Sequence, residues 1–312
     1  MSSDNTDQLV RRWHESDRRS RERRTARRAK RSKVRPLVFV VAVLGAAAWV
    51  DERPVTPPDD PLARAALGYP APVVKGVSAR SQPAIPSAAA MRSAWRFARR
   101  RGGRVSIGVV DTRGRLRGRA MWDVYPSASV VKAMLLLAEL RRLARNRLEL
   151  DGPTLELLRA MTTLSDNDSA DAIYARVGDA GLREVATAAG LRRFRVAMSW
   201  GYAQVTAADM ARLFARLRRL APPRYRGTVL LLLRSLTHEH RWGIFRAAGG
   251  RWTVHAKGGW RETSSGQLVH QAAWLRHGRQ HLSIAVLTDA QPSHIYGVRT
   301  VRGIADRLLR AP

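Results

Sequence analysis

The sequence predicts an α/β (α+β) fold of two lobes, and three observations predict it. Residues 103–123 alternate apolar and polar like strands, residues from Ser129 to about Leu220 repeat with a helical period, and residues 251–288 return to strands. A chain that leaves a sheet, builds helices and comes back makes a sheet lobe and a helical lobe, here about residues 129–220, with a cleft between them. Ser129 then lies at its floor. A length of 312 residues with 45% hydrophobic content is enough to bury such a core, which excludes a disordered chain.

The chain begins with a polar segment, residues 1–35, that holds thirteen basic and five acidic residues. Alone it would suggest a nucleic-acid-binding arm. Residues 36–50, from Pro36 to Val50, follow at once without a charge. Basic residues abutting an apolar run are the positive-inside arrangement, so a cytoplasmic N-terminus and an exported body are expected, and no nucleic-acid partner. As a helix the run reaches only ~22 Å against a ~30 Å hydrocarbon core. It is therefore either a short single-pass membrane anchor or the core of a signal peptide cut after Ala46-Ala47-Ala48, and the long basic region favours the anchor. Residues 51–86 hold eight of the fifteen prolines, including Pro54, Pro57, Pro58, Pro61, Pro70 and Pro72, and read as an extended linker.

The folded body is expected over residues 87–312. It opens with a helix at Ala88 to Arg100, then a strand from Gly103 to Asp111, a turn at Thr112-Arg113-Gly114 and a second strand from Leu116 to Asp123. Helices follow at Lys132 to Arg145, Thr154 to Thr163, Ser169 to Val177, Leu182 to Ala189 and Ala207 to Leu220. Strands at Arg251 to Lys257, Leu268 to Leu275 and Leu282 to Thr288 precede a last helix from Tyr296 to Leu309. No internal repeat is present.

Formal charge is +31, and most of it lies beyond the N-terminal segment. Such a surface allows binding to nucleic acid, anionic lipid or an anionic cell-wall polymer, and a general preference for arginine explains the charge equally well. Cysteine is absent, so there is no disulfide, thiolate metal site or cysteine nucleophile. None of the eight histidines has metal-ligand spacing, and Thr237-His238-Glu239-His240 reads as a polar loop. No metal or cofactor is expected.

Against this arginine bias the chain has only five lysines: Lys30, Lys33, Lys75, Lys132 and Lys257. A position that keeps lysine here needs a compact ammonium or one that can lose its proton, which arginine cannot. Lys132 lies in Tyr125-Pro126-Ser127-Ala128-Ser129-Val130-Val131-Lys132, just ahead of an apolar helix. If that helix starts near Ser129, the three-residue spacing puts the Ser129 hydroxyl and the Lys132 amine on one face. An amine can then take the proton that keeps serine a poor nucleophile.

Two further stretches follow in order. Ser165-Asp166-Asn167 sits in a loop between helices, and Lys257-Gly258-Gly259-Trp260 closes a strand. Ser-x-x-Lys, Ser-Asp-Asn and Lys-Thr-Gly form the signature of class A β-lactamases and penicillin-binding proteins. From Ser106 to Leu309 the chain resembles that superfamily of penicillin-recognising serine hydrolases. The resemblance implies a β-lactamase/transpeptidase-like fold, with an antiparallel sheet of about five strands flanked by N- and C-terminal helices, plus an all-helical lobe. It also implies roles: Ser129 as acylated nucleophile, Lys132 as its base, and Ser165 as proton relay to the leaving nitrogen. Asn167 would hold Lys132 and the substrate amide, and Lys257 would supply positive potential. The backbone N–H groups of Ser129 and Trp260 would form an oxyanion hole, with Gly258 and Gly259 lining the substrate site.

Three departures limit this resemblance. Gly258 stands where the family usually has a hydroxyl residue that helps bind a substrate carboxylate. The span Leu191 to Thr206 contains no carboxylate to activate a deacylating water, and the segment between the Lys132 helix and Ser165 is compact. The expected function is an exported serine hydrolase that opens a β-lactam or related amide through an acyl-Ser129 ester and hydrolyses it slowly. D-alanyl-D-alanine peptidase-like or esterase activity on cell-wall fragments is the alternative, and a non-catalytic wall-binding module the second alternative.

Overall fold

The computed structural model describes residues 85–310. The basic segment 1–35, the apolar run 36–50 and nearly all of the Pro-rich linker lie outside the described residues. Among the described residues no helix is long and apolar enough to cross a membrane.

Ser87 caps the first helix, α1 (Ala88–Ala98), by accepting a hydrogen bond from the Ala90 N–H at 3.1 Å. Strands β1 (Arg104–Val110) and β2 (Leu116–Arg119) form the expected hairpin. β2 stops short of Asp123, and β3 (Val124–Pro126) belongs to a second sheet. A 3₁₀ turn, Ala128–Val131, carries Ser129 into α2 (Lys132–Arg145). Next come α3 (Gly152–Arg159), extended by a π turn over Ala160–Leu164, and α4 (Asn167–Ala189). The two helices expected at 169–177 and 182–189 form one run broken at Gly178, whose φ of 57° and ψ of −169° are not helical.

The helical lobe is not all-helical. The span 191–206 folds as β4 (Arg195–Ala197) and β5 (Ser199–Thr206), and β5 pairs with β3 in a three-stranded sheet. After α5 (Ala207–Ala215) and α6 (Leu217–Leu220) come α7 (Arg226–Arg234), which the sequence reading did not expect, and α8 (Ile244–Ala248). The long strands β6 (Thr253–Thr263), β7 (Gly266–His277) and β8 (Gln280–Asp289) and the helix α9 (His294–Leu308) complete the fold. Lys257, Gly258 and Gly259 therefore lie inside a strand, not at its end. Pairing with β7 continues to the turn at Thr263 opposite Gly266.

The main sheet is antiparallel with the order β2-β1-β8-β7-β6. Ile107, Val109, Ile284 and Val286 face a core shared with Val301 and Ile304 of α9. From the other face Ala272, Trp274 and Leu287 join a second core built on Leu135, Leu136, Met161, Ile173 and Phe214. Alternate residues of each strand thus serve opposite cores, and ten of the fourteen residues of α2 are buried.

Charged residues also lie inside this packing. Glu139 of α2 is fully buried and takes a two-pronged bond from Arg142 at 2.7 and 2.8 Å, with Arg176 of α4 at 3.4 Å. Because the arginines reach solvent and the carboxylate does not, the two truncations are unequal. Arg142→Ala strands a buried charge and is expected to cost about 3–5 kcal/mol. Glu139→Gln is expected to cost distinctly less. Urea unfolding of both variants checks the asymmetry, and equal losses would contradict it.

Candidate active site

The segment before Ser129 is pinned from several directions. Tyr125 shares a hydrogen bond with Ser106 at 2.9 Å, the Ser127 N–H donates to the Ala203 carbonyl at 2.7 Å, and the Ser127 hydroxyl donates to the Trp200 carbonyl at 3.0 Å. Burial pushes His270 down to about 4, so its ring is neutral at pH 7. Nδ1 accepts from the Thr288 N–H at 3.1 Å, which leaves Nε2 to donate to the Pro126 carbonyl at 3.0 Å. So held, Ala128 adopts a left-handed φ of 44°, unusual for a residue with a Cβ. Ser129 follows it, partly exposed, and its carbonyl accepts from the Lys132 N–H one turn later.

Lys132 is fully buried, and its ammonium group donates to the carbonyls of Ser165 at 2.8 Å and Asp166 at 2.9 Å and to Asn167 Oδ1 at 2.7 Å. Three acceptors match the three N–H bonds of a lysine. They can converge because Ser165 sits in the left-handed region, with a φ of 58° and a ψ of 33°, at the end of the π turn. Asp166 then caps α4 by accepting from the Ser169 N–H at 2.8 Å. The Ser-Asp-Asn loop thus turns two carbonyls and one amide oxygen toward one amine.

Lys257 approaches the same loop from β6. Its ammonium group donates to Ser165 Oγ at 2.8 Å and to the Gly258 carbonyl at 2.9 Å. The side chain is buried and no carboxylate pairs with it among the described residues, so burial pushes its pKa from 10.5 down to about 7. The Lys257 amine, expected to supply positive potential, is therefore a group that changes protonation near neutrality. Gly259 faces Ser129, and a Cβ there would lie 2.7 Å from the Ser129 nitrogen. Only glycine lets the edge strand come this close to the serine main chain. The structure thus brings Ser129, Lys132, Ser165, Asn167, Lys257 and Gly259 together, with Trp260 next along the strand.

Sequence reasoning missed four aromatic residues that line this centre. The Trp200 ring lies 4.9 Å from the Lys132 ammonium, and its indole N–H donates to Asp171 Oδ1 at 2.7 Å. Trp242 packs on Gly258, where a Cβ would come within 2.7 Å of its ring. His240 and His294 lie 5.2 and 5.5 Å from the Trp260 ring, centre to centre. The turn at His238–His240, read as a polar loop, directs His240 Nε2 to the Leu164 carbonyl at 2.9 Å. A signal was present in Trp200, Trp242 and Trp260, but no spacing links residues drawn from separate elements. Among the described residues no group of histidines and carboxylates could hold a metal ion.

A comparison with known families matches residues 152–311 to the beta-lactamase enzyme family. That match begins after Ser129 and Lys132. No curated protein matches the chain. Similar solved structures include a variant of the reconstructed class A β-lactamase of the last common ancestor of Gram-negative bacteria. It is 21% identical, with a TM-score of 0.64 over 71% of this chain and 97% of that one. The class A β-lactamase from Mycobacterium abscessus is 20% identical, with a TM-score of 0.63 over 71% and 98%. A β-lactamase from Sphaerobacter thermophilus is 18% identical, with a TM-score of 0.62 over 70% and 95%. At these identities the likeness establishes the two-lobed fold.

The position of Lys257 has a measurable consequence for stability. Between about pH 7 and pH 10.5 the unfolded chain binds a proton that the folded chain does not, so unfolding free energy rises with pH across that window. Below it the full cost of burying a charge is felt. Lys257→Met is expected to stabilise the fold most at about pH 6, with the gain shrinking toward about pH 10. Thermal unfolding across that range checks it, and an offset independent of pH would contradict the shift.

Proposed function

Because the chain belongs to the beta-lactamase enzyme family, we propose that it is an exported serine acyl-hydrolase of the class A type, acylated on Ser129 by a β-lactam or related amide. The observation that carries this reading is the convergence of the two lysines of the folded body, both buried, on the loop Ser165–Asn167 beside a partly exposed serine. Burying two amines is costly, and a pure binding module has no need of it. Proton transfer does.

In this reading Ser129 Oγ attacks the carbonyl carbon, and its proton passes to Lys132 in the amine form, which requires one of the three contacts to Lys132 to yield. The oxyanion is held by the backbone N–H groups of Ser129 and Trp260, where one such donor is worth ~2.7–4 kcal/mol. As the carbon–nitrogen bond breaks, the Ser165 hydroxyl protonates the leaving nitrogen and is resupplied by the Lys257 ammonium. Asn167 holds Lys132 and the substrate amide, while Gly258 and Gly259 form the strand edge along which the substrate lies.

Deacylation is the slow step. Residues 191–206 hold no carboxylate, and the Trp200 indole lies against Lys132, its N–H donating to Asp171 while the Trp200 carbonyl accepts from Ser127. The same features favour, as the second reading, a D-alanyl-D-alanine peptidase-like or esterase activity on wall fragments. Export rests on residues 36–50, which act as an anchor or a cleaved signal. The basic body would then face an anionic cell-wall polymer.

A fluorescent penicillin is expected to label the purified protein, to persist after the free probe is removed, and to be lost in Ser129→Ala. An unlabelled, folded wild type would remove the enzyme reading. Labelling is also expected to slow as pH rises through about 7, because Lys257 loses the proton that it returns to Ser165. Lys257→Arg, which stays charged, should lack that falling limb, and a limb retained in the variant would assign it elsewhere.

A further inference from the structure

Strand alternation sends residues 258 and 260 to the face of β6 opposite Lys257 and Gly259. On that face Trp242 fills the space against Gly258 that any larger residue would need, and its ring meets Trp260 edge-on at 6.3 Å. His294 lies 6.2 Å from Trp242 and 5.5 Å from Trp260, and His240 lies 5.2 Å from Trp260. These four rings form one wall that begins one residue from the glycine touching the Ser129 nitrogen.

The wall is rigid. Buried Gln271 donates to the Trp242 carbonyl at 3.1 Å and accepts from the Ile244 N–H at 2.6 Å, which locks the turn bearing Trp242. The bond from His240 to the Leu164 carbonyl ties it to the residue before Ser165. None of its four rings carries a permanent charge. Burial lowers the pKa of His294, whose Nε2 is buried without a hydrogen bond, and the Arg241 guanidinium lies over Phe245 at 5.3 Å. Lys257 directs two of its three donors to Ser165 and Gly258, on the other face of the strand. Beside His240 and His294 stand Leu164 and Ile295, two of the few large apolar residues exposed in the body, at 42% and 62%.

We infer that this wall is a substrate subsite for a neutral, ring-bearing group next to the carbonyl that Ser129 attacks. The preferred substrate is then an uncharged aryl-bearing ester or amide, not one with a free carboxylate at that place. A carboxylate set against Trp242 and Trp260 would lose its water and gain no fixed cation, whereas a ring would find aromatic edges and faces. The inference rests on Ser129 being the nucleophile.

The test compares two probes on the full-length protein: a penicillin with a fluorescent side chain as its free acid, and the same molecule as the benzyl ester of its carboxylate. The ester is expected to acylate Ser129 about tenfold faster, and Trp242→Leu to remove most of that advantage, read as the ratio of the two rates. His240→Ala on the partly exposed turn is expected to act in the same direction if Trp242→Leu fails to fold. In the double variant Trp242→Ala with Gly258→Thr the free acid is expected to gain, a result that misfolding cannot imitate. A wild type that prefers the free acid, or a Trp242→Leu variant that slows both probes equally, overturns the subsite and leaves the nucleophile standing. If neither probe nor an aryl fluorophosphonate labels Ser129, the subsite and the enzyme reading fall together.

Discussion

Two amines buried on either side of a three-residue loop are the constraint to which the rest of this structure answers. Lys132 arrives from the central helix and Lys257 from the edge strand, and the loop between them meets one with main-chain carbonyls and the other with a hydroxyl. A buried amine without acceptors costs several kcal/mol, so the loop geometry is as necessary to folding as to chemistry. The left-handed φ of Ser165 follows directly. In a helical conformation that residue could not turn its carbonyl to Lys132 while its side chain reaches Lys257. Local strain is accepted because two desolvated groups are satisfied by it.

The same reasoning explains why the second sheet exists. Ser129 must stand at a fixed place beside β6, and a 3₁₀ turn led by a left-handed alanine would not hold itself there. β5 supplies the fixture by pairing with β3 and by offering the Ala203 and Trp200 carbonyls to Ser127. His270 completes it from the main sheet through a tautomer set by the Thr288 N–H. Burial that keeps this ring neutral also keeps the hydrogen bond to Pro126 in place at any pH well above 4.

Much of this was legible in the sequence where composition made residues stand out. In a chain with fifty-one arginines and five lysines, Lys132 and Lys257 mark themselves, and the two-lobed order of strands, helices and strands is visible in the apolar periods. What escaped was the work of distant pairings. Residues 195–206 contain arginine, methionine and glycine and show no clean alternation, because β5 is held by β3 some eighty residues earlier. Gly178 interrupts α4 without ending it, since residues on both sides remain packed in one core. β6 runs past Lys257 because its register with β7 is set by the turn at Ser264 and Ser265, outside the motif.

The aromatic residues show how the two halves of the site can diverge. The polar groups of the site, Lys132, Ser165 and Lys257, are tied together through one loop. Around them, indoles stand at the places where such a site would handle water and charge. Trp200 covers Lys132, and Trp242 occupies the space that a side chain at 258 would take. Each makes its surroundings drier, which strengthens the hydrogen bonds inside and lowers the pKa of an unpaired amine such as Lys257. In the proposed mechanism a dry centre with a lysine poised near 7 would favour forming an acyl-serine and disfavour its attack by water. Under that proposal one physical feature, indole at both places, would account for both the acylation and its slow hydrolysis.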